Sequence, residues 1–215
     1  MSLAATLHRR FAREPRTRAL SAAVASLLPP GALTLDLGCG DGTLAQRVMA
    51  ARPDVRIVGA DTLTRGGCAV PVARYDGERL PFPAGRFDAV LLVDVVHHAT
   101  HPRSLLAEAG RVARSAVVIK DHLADRVGAR PLLRLMDWMG NARHGIALPY
   151  NYWTRADWRL AFADLGLKVA AWEERLGLYP RACAPLFETG LHFVALLHPA
   201  AVPAPARPAG RPPAA

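Results

Sequence analysis

The 215-residue sequence predicts an α/β protein: a doubly wound, mostly parallel seven-stranded sheet with a C-terminal antiparallel strand pair and an inserted helical segment. Three observations lead there. From Leu33 to Ile119 short apolar runs alternate with amphipathic helical patterns, the rhythm of strand, crossover helix and parallel strand. Gly38, Gly40 and Gly42 join the first run directly to the first helix. After Thr154, a capped helix precedes two apolar runs with no convincing helix pattern between them, so those runs pair antiparallel.

The elements follow in order. Residues 1–30 read as N-terminal helices leading into the sheet, with Leu20, Val24 and Leu27 at helical spacing until Pro29, Pro30 and Gly31 stop the run. Strand one is Leu33–Leu37, and the helix after it carries Leu44, Val48 and Ala51 until Pro53. Strand two, Val55–Ala60, is a short run apolar but for Arg56, as expected for a buried parallel strand, and it ends on Asp61. Val70–Tyr75 is a weaker third strand, Phe87–Val93 a strong fourth and Ala116–Ile119 a fifth. His101-Pro102 opens a helix with Leu105, Ala109 and Val112 inward. Asp125 to Tyr152 has no strand rhythm, so a helical insert of about residues 123–153 is expected. Thr154 to Asp157 reads as a capping box, and Gly166 ends the helix it starts. Leu167–Trp172 and Leu191–Leu197 are the last two strands; residues 31–198 thus form one domain, and 199–215, Pro and Ala with two arginines, has too little to bury to fold.

Composition narrows the function. The net charge of +9 is carried almost entirely by arginine, with Lys120 and Lys168 the two lysines, and it is scattered at helix-surface spacing without interleaved aromatics. A solvated basic surface is expected, with no specific nucleic-acid partner. No apolar run approaches the roughly 18 residues of a membrane span. Arg9, Arg10, Arg13, Arg16 and Arg18 interrupt the N-terminus where a secretory signal needs its apolar stretch, so a cytoplasmic protein is expected. Cys39, Cys68 and Cys183 lack metal-ligand spacing, and neither a disulfide framework nor a metal site is expected.

The glycines carry the first chemical signal. A loop free of Cβ atoms between strand one and its helix sets backbone N–H groups at the carboxyl edge of the sheet, where α/β folds bind ligands. The spacing is G-x-G-x-G, and Thr43 stands where the dinucleotide fingerprint needs its next glycine. Asp61 closes strand two about 20 residues on, where an acid accepts hydrogen bonds from ribose hydroxyls. Asp76-Gly77 follows strand three, and "LPFPAGRFDAV" leads into strand four.

The combination of "LDLGCGDG", the acid after strand two and "LPFPAGRFDAV" resembles the class I S-adenosylmethionine-dependent methyltransferases, in particular the small-molecule branch similar to the quinone-biosynthesis C-methyltransferases. The resemblance covers Leu33 to Lys120 in motifs and implies a Rossmann-like sheet, S-adenosylmethionine as cofactor and a small-molecule acceptor. It implies that Gly38, Cys39 and Gly40 approach the methionine part. Asp61 with Thr62 would hold the ribose, Asp76 with Gly77 the adenine, and Asp94 with Val95 would line the site beyond strand four; Asp36 would brace the loop. One departure is that only Thr62 to Ala69 separates strands two and three, short for a parallel crossover.

A sulfonium methyl donor is already reactive, so such an enzyme holds the nucleophile in line and excludes water. An oxygen or nitrogen acceptor also benefits from a base, and His97, His98 and His122 are the candidates because they follow strands four and five at the glycine edge. If strand four continues extended, His97 and His98 point different ways; the plainer alternative is that these histidines cap helices or bond backbone. In the insert, Asn141, Tyr152 and Trp153 are candidates for orienting an apolar or aromatic acceptor, in a segment that reads equally as a lid, a packed helical pair or a dimer contact. Oxygen is favoured as the methylated atom by the histidine-rich edge. A nicotinamide-dependent oxidoreductase is disfavoured by the absent fingerprint glycine; a non-catalytic scaffold on the same fold stays open.

Overall fold

The computed structural model describes residues 14–63, 66–141 and 148–200, without the side chains of 140 and 141. Helix α1 (Glu14–Leu27) leads into β1 (Leu33–Leu37), α2 (Thr43–Ala51), β2 (Arg56–Asp61), β3 (Val72–Arg74) and β4 (Phe87–Val93). A 3-10 turn (Val96–His98), α3 (Pro102–Val112), β5 (Ala113–His122), α4 (Ala129–Asn141), α5 (Arg155–Asp164), β6 (Lys168–Glu173), α6 (Ala184–Phe187) and β7 (His192–His198) complete the order. The sheet runs β3-β2-β1-β4-β5-β7-β6, parallel as far as β5, with β7 antiparallel to both β5 and β6. Chain order reverses between β1 and β4, which puts the ligand-binding crevice of this sheet type beyond the carboxyl ends of those two strands.

Period-two alternation splits the core into two layers. Leu35 and Leu37, Val90 and Leu92, Val117 and Ile119 face one side, against Leu105, Leu106 and Ala109 of α3 and Trp158 and Phe162 of α5. Ile57, Ala89, Leu91, Ala116 and Val118 face the other, against Val24 of α1 and Ala45 and Val48 of α2. Thr154 caps α5 as its sequence predicts: its hydroxyl oxygen accepts from Asp157 N–H, and Asp157 bonds back to Thr154 N–H.

Three expectations are corrected. Strand three shrinks to Val72–Arg74, since it lies at the sheet edge and has β2 alone to pair with. Strand five is longer than Ala116–Ile119: it pairs with β4 on one side and β7 on the other, so Asp121 and His122 are its last two residues and do not follow it. Strand four does not continue extended; the 3-10 turn sets the His97 and His98 rings 4.0 Å apart instead of on opposite sides. Residues 1–13, residues 142–147 of the insert and residues 201–215 of the Pro/Ala tail fall outside the described residues, as does the side chain of Asn141.

Candidate functional site

The glycine loop is shaped by what a side chain would hit. Gly38, Gly40 and Gly42 all have positive φ, of 78°, 58° and 73°. A Cβ on Gly38 would stand 2.5 Å from Val95 Cγ2, so this glycine lets the loop lie directly on the chain leaving β4. A Cβ on Gly40 would meet nothing within 4 Å, so its backbone borders open space. Asp61 Oδ2 accepts from Gly40 N–H at 2.9 Å and Oδ1 from Leu63 N–H at 2.9 Å, which leaves lone pairs on both oxygens for further donors. Gly77 sits against Thr62, its Cβ position 3.4 Å from Thr62 Cγ2, so the Asp76-Gly77 turn reaches the end of β2 despite the short crossover. Asp76 Oδ1 takes the N–H groups of Glu78 and Arg79, and those bonds lower its pKa. Cys39 is a buried free thiol whose pKa burial pushes up, and it fills the space over Gly59. Asp36 is buried, with Oδ2 lacking a hydrogen-bond partner, and burial followed by the charge of Asp61 raises it to about 7. Open backbone at Gly40, a carboxylate with spare lone pairs at Asp61 and a polar turn beside it leave room for a nucleoside carrying an amino-acid chain.

Across the crevice the site is built from side chains. Asp94 leaves β4 at φ 56°, a left-handed conformation that Asp tolerates better than most residues. Its Oδ2 accepts from Arg16 Nη2 at 2.7 Å and its Oδ1 from the fully buried Lys120. Burial opposes ionisation of Asp94, but Lys120 and Arg16 outweigh it and hold the carboxyl well below its usual range. Burial in turn lowers Lys120.

Asp121 organises the next layer. Its Oδ2 accepts from Val96 N–H at 3.1 Å, and its Oδ1 from His122 N–H at 2.7 Å and from His97 Nδ1 at 2.6 Å. The His97 ring is thereby oriented, with Nε2 3.4 Å from Asp137 Oδ2 of α4. Burial alone would lower His97; the Asp121 carboxylate, joined by Asp137, wins and raises it to about 10. The same burial, now reinforced by the like charge of His97, lowers His98 to about 4 and also lowers His122. In this network His97 carries the proton, and His98 and His122 stay neutral at pH 7.

Asp137 also accepts from the buried Tyr152 hydroxyl. Residues 150–153 form a strap over the histidine turn: Asn151 N–H donates to His97 O, Asn151 Nδ2 to Ala99 O and Ala124 N–H to Trp153 O. Tyr152 and Trp153 line a cleft of about 330 Å³ with Arg103, Arg130 and Tyr150, and Trp153 packs edge-on against Trp158. Opposite His122 in the sheet register is His192, Nδ1 to Nδ1 3.1 Å. Arg16, Lys120, Asp137 and His192 were not among the sequence candidates. Their only common signal is an ionisable residue at a position that periodicity places inside, as with Lys120 at the end of an apolar strand.

The comparisons agree with this geometry. Residues 7–171 match the family model described as a methyltransferase domain. The ubiquinone/menaquinone biosynthesis C-methyltransferase UbiE of Bordetella parapertussis is 37% identical over 122 residues, 51% of this chain and 46% of that protein. The chain thus spans about half the length of the curated relatives it matches. Two solved structures share the fold. A chain of the complex between the Haloferax volcanii Trm112 methyltransferase activator and a methyltransferase aligns at TM-score 0.65 and 17% identity, covering 87% of this chain and 90% of that one. The [4+2]-cyclase SpnF aligns at TM-score 0.61 and 16% identity, covering 86% and 81%. With more than half of its length inside the family model and the glycine loop and seven-stranded sheet in place, this chain belongs to the class I S-adenosylmethionine-dependent methyltransferases.

Proposed function

We propose that the protein transfers the methyl group of S-adenosylmethionine to a small-molecule acceptor, apolar or aromatic, with oxygen favoured over carbon or nitrogen as the methylated atom. One observation carries the reading: Gly38 packs on Val95, two residues before His97, so the glycine loop and the histidine cluster meet at one sheet edge. In this reading Gly38, Cys39 and Gly40 take the methionine part, Asp61 and Thr62 the ribose, Asp76 and Gly77 the adenine, and Asp94 and Val95 line the far side. The cofactor, when bound, supplies an electrophilic methyl on a sulfonium.

The chain's own residues then orient the acceptor and take its proton. His98 is the proposed base, being neutral and less buried than His97 or His122. His97, itself held by Asp121, packs against it with the two rings tilted and their centroids 4.0 Å apart. Tyr152 and Trp153 offer aromatic surface, since the Tyr152 hydroxyl is already committed to Asp137. Among the described residues no helix is long and apolar enough to cross a membrane. The cytoplasm is the expected compartment, in keeping with three free thiols.

Calorimetric titration with S-adenosylmethionine and separately with NADH, repeated on Asp61→Ala, tests the cofactor. S-adenosylmethionine alone should bind, and the variant should lose about 10- to 100-fold in affinity, as expected for hydrogen bonds to a charged group. Absence of binding by the native protein sinks the reading. A second reading, cofactor binding without methyl transfer, is favoured by the likeness to a [4+2]-cyclase on the same fold. Release of S-adenosylhomocysteine in an acceptor screen separates the two.

A further inference from the structure

The histidine cluster holds two buried ring nitrogens that no hydrogen bond of the chain engages, one on His97 and one on His98. His97 Nδ1 is engaged by Asp121, and Nε2 is buried with no hydrogen-bond partner and directed at Asp137 Oδ2, 3.4 Å away, so a cation binding there would displace the Nε2 proton that His97 carries in the metal-free protein. His98 Nδ1 is likewise buried with no partner. His192 Nε2 lies 3.0 Å from Phe187 O and so carries its proton there, which makes His192 Nδ1 the acceptor and His122 Nδ1 the donor of their 3.1 Å contact. His122 Nε2 is then a lone pair facing Asp137 Oδ1 at 3.7 Å and Asp94 Oδ1 at 3.8 Å. Arg16 and Lys120 engage Asp94, Lys120 also lies 3.4 Å from His192 Nδ1, and Asp137 accepts from the Tyr152 hydroxyl.

We infer that this cluster is a binding site for a first-row divalent transition-metal cation, with His97, His98 and Asp137 as its ligands. One ligand atom from each of the three lies within 4.8 Å of the others. Metal–ligand bonds of about 2.1 Å require neighbouring ligand atoms roughly 3.0 to 3.4 Å apart, so the 3.4 Å between His97 Nε2 and Asp137 Oδ2 already fits. Two imidazoles and one carboxylate are the donor set of zinc, iron(II) and cobalt(II), and they leave positions open for an exogenous ligand. Asp121 on the far nitrogen of His97 supplies the carboxylate that orients a metal-bound imidazole, and Tyr152 does the same for Asp137. His122 Nε2 stands beside the set on the other oxygen of Asp137.

Such a site leaves no trace in the sequence because its ligands come from a turn after β4 and a helix in the insert, with no ligand motif in either. Binding follows from the cluster alone. Its use in catalysis rests on the methyl-transfer reading: the cation would polarise an acceptor oxygen, and the proton-accepting role of His98 would belong to the metal-free enzyme.

The test uses the full chain, freed of any affinity tag and treated with a chelator, titrated with Co²⁺ and then with Zn²⁺ in competition. One equivalent should bind, with visible absorption of a nitrogen- and oxygen-ligated cobalt. His98→Ala and Asp137→Asn should each weaken binding at least about 100-fold, and Asp121→Asn about 10- to 100-fold. His98 is the leading variant because it is only part-buried, whereas His97 is in the core. No saturable binding, a thiolate-to-cobalt band from a cysteine, or affinity unchanged in His98→Ala and Asp137→Asn would each overturn the inference. Thermal stabilisation by S-adenosylhomocysteine, read on the same samples without metal, shows that each variant is folded and reports on the cofactor reading independently.

Discussion

The two halves of the crevice are made of different material. The glycine half is backbone: three positive-φ glycines, one acid bridging Gly40 and Leu63, and one open surface. The histidine half is a largely buried network in which Arg16, Asp94, Lys120, His192, His122, Asp137, His97 and Asp121 touch in that order, with Tyr152 on Asp137. Main chain suits a ligand of one fixed shape, because its geometry tolerates few changes. A surface made of side chains can be varied residue by residue, and here the side chains hold one another in place.

The contrast can be broken where it is strongest. Asp94→Asn keeps a residue suited to the left-handed conformation but removes the countercharge of Lys120 and Arg16, so it should cost about 3–5 kcal/mol, the usual penalty for breaking a buried pair. Denaturant melts measure it; a loss under about 1 kcal/mol would mean the network is not held by charge. The glycine half has one such liability in Asp36. Its folded pKa, about 7, lies above the ordinary carboxyl value of 3.8, so the unfolded chain loses this proton first and stability falls as pH rises from near 4 to 7. Asp36→Asn should remove that slope and gain on the native protein by on the order of 3 kcal/mol above pH 7. Melts at pH 5 and 8 giving equal differences would refute it.

Gly38→Ala should cost roughly 1–3 kcal/mol through its positive φ and its clash with Val95, and Val95→Ala should return part of that loss. Additive effects in the double variant would show that the two halves do not press on each other. Asp76→Ala lies at the exposed rim and should change stability by less than about 1 kcal/mol, visible as a shift of a few degrees at most in the melting temperature.

The same contrast decides what could be read in advance. Strand–helix alternation, the glycine spacing and Asp61 are local patterns, and the sheet order and loop geometry follow them. The capping box at Thr154 is equally local. His97, His98 and His122 could be placed at the correct edge, but not oriented, because a 3-10 turn and three further residues at the end of β5 decide their directions. Asp137, His192 and Arg16 lie 40 or more residues from His97 in either direction except through the insert, and pairing across such distances leaves no periodic trace. Lys120 was legible as an oddity, a cation closing an apolar strand, but its partner was not.

The curtailed connection between β2 and β3 bears on how the protein avoids itself. A sheet whose outermost strand is long and flat offers a row of unpaired amides to a neighbouring copy. Here β3 is three residues long, is preceded by Pro71, which has no N–H to give, and ends on the cation Arg74. Shortness, proline and charge are the three features that discourage one sheet edge from adding to another. Lengthening this strand to pair with more of β2 would therefore extend the sheet and at the same time create a template for aggregation.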